Sequence, residues 1–309
     1  MFKQLFSRQF IMLSRFSGLA KLTFAGAIAL HLTITPALAG DPFRTREPKQ
    51  IGDQTEAAFK AMFQDGNYTA AERHLEQALK KEPNEPLAYA LKASLAYNKN
   101  DVAALDRYSR KTLEMGRKLT ASDPLRGNLY TAVGYFLEGA VIITRKGAVN
   151  GASDALSRLR TVYEYFGKAE AIAANDPELN LIRGYMDLML SVNLPFASPD
   201  QAIERLEQNA APAYLVNRGI ALAYRDLKEF ETAERYVDRA MNATPSNPEI
   251  HYLKAQILHE MGKKSNNKSD LQLAIAHFDK ALAKKSQLPA SLVKQIESER
   301  KQASRRLEG

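Results

Sequence analysis

Histidine is the residue type in this chain best suited to hold a metal, and one stretch begins like the zinc-binding helix of a metalloprotease. His259 is followed by Glu260, but Lys263 stands where the second metal-binding histidine would be needed, one turn along. The motif is therefore incomplete. His74 and His277 each precede a large apolar residue at the same place in a repeated pattern, which favours packing or surface positions. We expect no metal site and no cofactor.

Motifs for nucleophilic catalysis and phosphate binding are also incomplete. Two short matches to Ser-x-x-Lys, a motif of penicillin-recognising enzymes, begin at Ser265 and Ser291. That family is built on a strand core, and no alternating strand pattern occurs in this chain. Gly147 and Gly151 follow no predicted strand, so they form neither a Walker loop nor a dinucleotide-binding turn. The chain has no cysteine and hence no thiol chemistry. We expect a protein that is not an enzyme.

The first 39 residues predict export. They carry four basic residues and no acidic one, followed by a short apolar run that ends in Ala37-Leu38-Ala39. This is the pattern of a secretory signal peptide with cleavage before Gly40. The run is too short for a membrane anchor, which needs about 20 apolar residues. We expect localisation to a periplasm, the medium or a thylakoid lumen, with no stable membrane anchor after cleavage.

Export also changes the charge balance. The chain has 43 Lys+Arg and 35 Asp+Glu, and loss of the leader would leave 39 basic residues against the same 35 acidic ones. Nucleic-acid binding requires basic residues clustered on one face, which this small excess does not supply. A basic cluster near residue 300 is typical of a solvated terminal helix. We expect no nucleic-acid partner.

A spacing of small and large apolar residues recurs along the chain. In three stretches an alanine is followed four residues later by a large apolar residue and three residues after that by another alanine. The three sets are Ala71, Leu75 and Ala78; Ala233, Val237 and Ala240; and Ala274, Phe278 and Ala281. Small residues at one-turn intervals let antiparallel helices approach closely, while the large ones fill the groove beside them. The spacing predicts repeated helical hairpins.

These residues resemble the tetratricopeptide repeat, a helical hairpin of 34 residues. The positions that match its pattern are Gly66, Tyr68, Ala71, Leu75, Ala78 and Pro83; Ala221, Tyr224, Phe230, Ala233, Val237, Ala240 and Pro245; and Ala255, Leu258, Gly262, Phe278 and Ala281. The chain lacks tryptophan, so the usual early aromatic residue is absent. The resemblance implies an all-α, tetratricopeptide-like right-handed α-solenoid of about six helical hairpins plus a C-terminal capping helix.

The period divides the chain into a signal peptide (1–39), a flexible linker (40–49) and a solenoid (50–309). We expect clear repeats near 52–85, 214–247 and 248–288 and degenerate repeats over 86–212. The predicted helix pairs are about 50–64 and 67–82, 86–98 and 101–121, 125–145 and 152–174, 178–192 and 199–209, 213–226 and 229–243, and 248–262 and 270–284, followed by a cap at 289–306.

In this family the first helices of successive hairpins line a concave binding surface. Carried over residue by residue, the resemblance nominates eight partner-binding residues. They are Lys60, Phe63, Arg218, Leu222, Arg225, Tyr252, Gln256 and His259. Their basic, apolar and aromatic composition suits a peptide of partly acidic character. The clamp by which some co-chaperones of the family hold a terminal carboxylate is absent, because its positions hold Glu56 and Lys60 in the first repeat and Ala90 and Ser94 in the second.

Two functions remain open at this point. The first is an exported scaffold or assembly factor that binds a protein or peptide partner. The second is non-catalytic recognition of a cell-wall polymer or small ligand in a pocket at the degenerate central hairpins. The leader, the repeat and the slightly basic composition also resemble secreted tetratricopeptide proteins of photosynthetic bacteria, a likeness that implies no particular activity.

Overall fold

The computed structural model describes residues 40–191 and 199–308, and the signal peptide predicted for residues 1–39 lies outside them. The described residues form helices and turns and include no strand, which confirms the all-α fold class. The helices are α1 (Asp53–Phe59, continued by a π-helical turn at Lys60–Gln64), α2 (Tyr68–Lys81), α3 (Pro86–Asn98), α4 (Val102–Leu119), α5 (Pro124–Ala173), α6 (Pro177–Ser191), α7 (Pro199–Asn209), α8 (Ala213–Asp226), α9 (Phe230–Ala243), α10 (Pro248–Ser265), α11 (Lys268–Leu282) and α12 (Ala290–Glu308). No helix in this part of the chain has the length and apolar character needed to cross a bilayer.

The predicted small and large apolar residues pack as their spacing requires. All nine members of the three recurring sets are 0% exposed. They hold together the hairpins α1–α2, α8–α9 and α10–α11, whose helices begin and end close to the predicted bounds. The sequence pattern therefore identified the helix-to-helix contacts of these three hairpins.

The second and third hairpins use glycine for the same close approach. A Cβ on Gly116 of α4 would lie 2.6 Å from the backbone nitrogen of Thr131, and one on Gly134 of α5 would lie 2.7 Å from Leu113 Cα. Helices α4 and α5 thus touch backbone to backbone, which any larger residue at these two positions would prevent. The repeat looked degenerate here because glycines at other positions replace the expected alanines.

The third hairpin consists of two helical arms that are separated by one non-helical residue. Gly147 has φ 76° and ψ 168°, a conformation that L residues rarely adopt, and it separates two antiparallel arms of α5. Glu138 pairs with Arg158 across the arms, and Lys146 pairs with Asp154 near the bend. The six-residue connection predicted at 146–151 is therefore helical apart from Gly147.

The first hairpin contacts the sixth, so the stack of hairpins closes on itself. Asn247 is fully buried, and its side-chain nitrogen donates to the carbonyl oxygens of Phe63 at 3.0 Å and Gln64 at 3.1 Å. The turn after α1 passes close by because it contains Gly66, where a Cβ would lie 2.6 Å from Asn247 Oδ1. A second contact joins the Thr69 hydroxyl to a backbone oxygen after α11.

An ionic contact completes this junction, which we call the closure junction. The Tyr68 hydroxyl on α2 donates to Glu249 Oε1 at 2.8 Å, and Arg218 Nη1 on α8 lies 2.9 Å from Glu249 Oε2. Three hairpins are therefore joined through one carboxylate at the start of α10. The closure junction connects residues separated by about 180 positions in the chain.

The segment before α1, predicted to be a flexible linker, contacts the starts of α5 and α6. The Phe43 ring packs edge-on against Phe59 with centroids 4.8 Å apart. The buried Arg44 guanidinium donates to Asp176 at 2.8 Å and to Glu178 at 2.9 Å. The N-terminal segment is thus held against the stack by one aromatic and one charged side chain.

Glu178 is the centre of a buried charge cluster beneath this segment. Arg126 lies 3.0 Å from Glu178 and 3.0 Å from Glu85, and the Tyr130 hydroxyl donates to Glu178 Oε1 at 2.6 Å. Burial raises the pKa of Glu178, but the charges of Arg126 and Arg44 and the hydrogen bonds outweigh burial and lower it overall. The cluster links α3, α5, α6 and the N-terminal segment. Because each of its charged groups has a partner within it, we interpret its role as structural.

The closure junction predicts that the same substitution at two similar helix N-caps has different effects on stability. The Oδ1 atoms of Asn247 and Asn267 each accept a hydrogen bond at 2.9 Å from the backbone two residues on. Aspartate preserves that cap but cannot donate to the carbonyls of Phe63 and Gln64. We expect Asn247→Asp to lower the free energy of unfolding by about 2–4 kcal/mol, measured by urea denaturation.

The control is Asn267→Asp, which should change the free energy of unfolding by no more than about 0.5 kcal/mol because Asn267 is exposed. Equal effects of the two substitutions would contradict the closure junction.

Candidate functional site

The structure divides the eight nominated residues into two groups. Lys60, Phe63 and Arg218 lie on α1 and at the closure junction. Leu222, Arg225, Tyr252, Gln256 and His259 follow α8 and α10 away from that junction. The second group is called here the α8–α10 strip.

The three residues of the first group contact other residues of the same chain. Lys60 is exposed and lies 2.5 Å from Glu56, one turn earlier on the same helix. The Phe63 ring packs edge-on against Phe59 with centroids 4.9 Å apart. Arg218 faces Glu249, and although burial lowers its pKa, nearby acidic and phenolic groups outweigh burial and raise it. In this closed arrangement Lys60 is the exposed member of the three, and it is paired with Glu56.

The α8–α10 strip contains a chain of hydrogen bonds that ends at an acidic residue of the capping helix. Arg225 Nη1 donates to Gln256 Oε1 at 2.5 Å. Gln256 Nε2 donates to Glu299 Oε2 at 2.8 Å, and the Tyr252 hydroxyl donates to Glu299 Oε1 at 2.8 Å. The donors of the strip therefore already hold one carboxylate, which α12 supplies.

His259 and Leu222 are the members of the strip that lie outside its chain of hydrogen bonds. Each is partly buried, and Leu222 packs beside the core of the fifth hairpin. Burial lowers the pKa of His259, so this imidazole is a neutral polar group at physiological pH. Together they add an apolar and a hydrogen-bonding contact to the edge of the strip.

Beneath the strip lies a buried acid, Asp226. It is 1% exposed, and its Oδ1 accepts from Arg225 Nε at 2.9 Å, while Oδ2 has no hydrogen-bond partner. Burial raises the pKa of Asp226 to about 7, and the charge of Arg225 and its hydrogen bond only partly oppose this. Ionisation of Asp226 is therefore costly in the folded state.

Two of the remaining histidines form a pair on the sixth hairpin. His251 Nε2 lies 3.0 Å from the Pro245 carbonyl oxygen and must donate to it, so His251 Nδ1 accepts from His277 Nδ1 at 3.1 Å. Burial, His251 and the nearby Lys280 lower the pKa of His277 to about 4. No group of three metal-binding side chains occurs within residues 40–191 and 199–308.

An open cavity of about 370 Å³ lies between α4 and the two arms of α5. Its charged lining residues are Asp106, Arg110, Glu138, Arg145 and Arg158. The arginines pair with the acids at 2.7–3.2 Å and outnumber them by one. The cavity therefore carries a small positive excess and no unpaired acid, in hairpins two and three.

Sequence reasoning missed the partners of the nominated residues. Glu249 and Glu299 hold Arg218, Tyr252 and Gln256, and neither acid is among the eight nominated residues. These contacts join helices of different hairpins, or a hairpin and the capping helix. The repeat pattern describes spacing within one hairpin, so it cannot predict them.

The ionisation of Asp226 predicts a pH-dependent stability. The pKa of about 7 in the folded protein lies above the value of about 3.9 for an exposed aspartate. The folded state therefore retains a proton that the unfolded state loses, and the contribution of Asp226 to stability falls as pH rises from about 4 to 7. We expect Asp226→Asn to stabilise the protein at pH 8 by roughly 2–4 kcal/mol, with a gain that shrinks towards pH 4. Chemical denaturation across this range tests it, and a gain independent of pH would contradict it.

Comparison with known protein families also finds the tetratricopeptide repeat in this chain. Residues 57–104 and 218–289 match the family model of the tetratricopeptide repeat. The first match extends beyond residue 85 into the second hairpin, where the repeat had looked degenerate. No curated protein matches the chain.

A solved structure of a thermophilic tetratricopeptide-repeat protein from Thermus thermophilus is also similar. It shares 18% identity over 81% of this chain and 97% of that protein, with a TM-score of 0.32. Two stretches of the chain are therefore similar to the tetratricopeptide repeat, and their helices pack through buried alanines.

Proposed function

We propose that this protein is an exported, non-catalytic scaffold that binds an acidic segment of a protein partner along the α8–α10 strip. Tetratricopeptide repeats generally mediate protein–protein interaction, and the strip lies within the matched residues 218–289. The partner segment is extended or helical and crosses the first helices of the fifth and sixth hairpins.

The observation that carries the proposal is the binding of Glu299 by Tyr252 and Gln256. Two neutral donors on α10 converge on this carboxylate at 2.8 Å, with Arg225 bonded to the same glutamine. An acidic residue of the partner binds by replacing Glu299 on these donors, next to His259 and Leu222. Buried polar anchors surrounded by apolar contact are the usual basis of peptide affinity.

The other nominated residues have a secondary part in this proposal. Lys60 is exposed and can pair with an acidic residue of a long partner that continues onto the first hairpin. Phe63 and Arg218 can contact such a partner only if the closure junction opens, because both are packed inside it.

Export remains part of the proposal and rests on the leader pattern of residues 1–39. The protein then works in a periplasm, the medium or a thylakoid lumen, as an assembly factor of that compartment. The likeness to secreted tetratricopeptide proteins of photosynthetic bacteria favours the same setting.

A second candidate is favoured by the cavity between α4 and α5. Its small positive excess and its adjoining Val141 and Ile142 suit an anionic unit of a cell-wall polymer or a small anionic ligand. In that case the protein binds a polymer and needs no protein partner.

Photo-crosslinking tests the scaffold function directly. The chain contains no cysteine, so His259→Cys provides a unique attachment site for a photoreactive maleimide. The matched control is Glu231→Cys, an exposed position on α9. With native envelope or lumenal fractions, we expect one protein of defined mass to crosslink from position 259 and not from position 231. Leu222→Glu should weaken this crosslink at least tenfold, because it places a charge on the strip.

Equal crosslinking from both positions, or none from position 259, would contradict the proposal. Retention on purified wall polymer without a protein partner, lost in Arg145→Glu, would instead support the second candidate.

A further inference from the structure

We propose that the stack contains a built receptor for the amino group that export creates at Gly40. When the leader is removed between Ala39 and Gly40, the new α-ammonium forms an ion pair with Glu56 on α1. The inference rests on the proposed export and is independent of the partner-binding strip.

The backbone N–H of residue 40, whose nitrogen cleavage would convert into the amine, already faces Glu56. Gly40 N donates to Glu56 Oε2 at 2.8 Å. A Cβ on Gly40 would lie 2.7 Å from Glu56 Oε1, so the carboxylate lies directly against this residue. Glycine at this position lets the carboxylate approach.

A rigid anchor begins one residue later. The Asp41 side chain is 0% exposed and accepts from the backbone nitrogens of Phe43 at 2.8 Å, Arg44 at 3.2 Å and Lys49 at 2.9 Å. It also accepts from Arg44 Nη1 at 2.7 Å. Because Arg44 is fixed by Asp176 and Glu178, residue 40 is positioned by contacts that lie wholly after the cleavage point.

The chemistry of cleavage strengthens this contact. Hydrolysis by a leader peptidase breaks the Ala39–Gly40 amide, and water supplies the hydroxyl of the new Ala39 carboxylate and one hydrogen of the new Gly40 amine. At neutral pH the amine takes up a further proton and becomes an ammonium with three N–H donors. Hydrogen bonds from a charged donor to a carboxylate are roughly twice as strong as neutral ones.

The charged groups facing Gly40 permit this pair. Glu56 also lies 2.5 Å from Lys60 Nζ, but Lys60 is half exposed and can turn into solvent. Asp41, next in the chain, is occupied by Arg44 and adds negative potential. Glu56 can therefore accept hydrogen bonds from the ammonium. Among the described residues, the cation that competes for Glu56 is Lys60, whose side chain can move away.

The first measurement is the N-terminus of the full chain expressed with its leader in an exporting bacterial host. Intact mass and N-terminal sequencing should give a chain that begins at Gly40. A chain that begins at another residue, or that keeps the leader, would overturn the proposal.

The second measurement separates the effect of the ammonium charge from that of the Gly40 N–H group. Two proteins, one beginning at Gly40 and one at Ala39, are released from a fusion whose protease leaves no extra residue, each with Glu56 and with Glu56→Gln. Keeping Ala39 preserves the Gly40 N–H but moves the ammonium away. We expect it to lower Tm by about 2 °C when Glu56 is present and to have no measurable effect in the Glu56→Gln proteins.

Glu76→Gln, a change at an exposed glutamate of α2, serves as the control and should leave the full shift in place. The same shift with and without the Glu56→Gln substitution would overturn the receptor even if cleavage occurs at Gly40. The crosslink from position 259 is unaffected by the Tm result, so partner binding along the α8–α10 strip and the pairing of the ammonium with Glu56 fail separately, whereas a retained leader would overturn export itself.

Discussion

The contact between Asn247 and the turn of the first hairpin determines the form of this protein. One buried side chain caps α10 through its oxygen and holds two carbonyl groups of the first hairpin through its nitrogen. A stack of helical hairpins usually has contacts only between neighbours, so its ends are independent. Here the ends share a polar contact that is buried, and breaking it would leave carbonyl groups without partners at a cost of about 1–3 kcal/mol each.

Polar bridges also link the first helices of successive hairpins. Glu178 joins α6 to Arg126 of α5, Glu249 joins α10 to Arg218 of α8, and Glu299 joins α12 to α10. Each bridge is buried or partly buried and connects first helices of successive hairpins or the capping helix. Side chains that an open groove would present to a partner are therefore mostly committed to their neighbours, and the free surface lies at the edge of the α8–α10 strip.

Much of the fold could be predicted from the sequence, because helix packing depends on local spacing. Ala71, Ala233 and Ala274 recur at the same place in their hairpins, and all are buried. The α4–α5 packing was harder to predict, since Gly116 and Gly134 make it without keeping the repeat's positions. The closure junction and the partners of the nominated residues could not be predicted, because they join residues from different repeats, up to 217 positions apart, and no periodic pattern encodes such a pairing.

The most direct test of the closed stack is disulfide trapping across the closure junction. Thr69 Oγ1 donates to the Ser286 carbonyl oxygen at 3.1 Å, which brings these two residues into contact, and a cysteine placed at each has no other cysteine to pair with. The closed structure predicts rapid formation of one intramolecular disulfide under mild oxidation, while a control pair at positions 76 and 286 stays reduced. Two free thiols in the 69–286 pair, as in the control, would show that the ends do not meet and would contradict the closed stack.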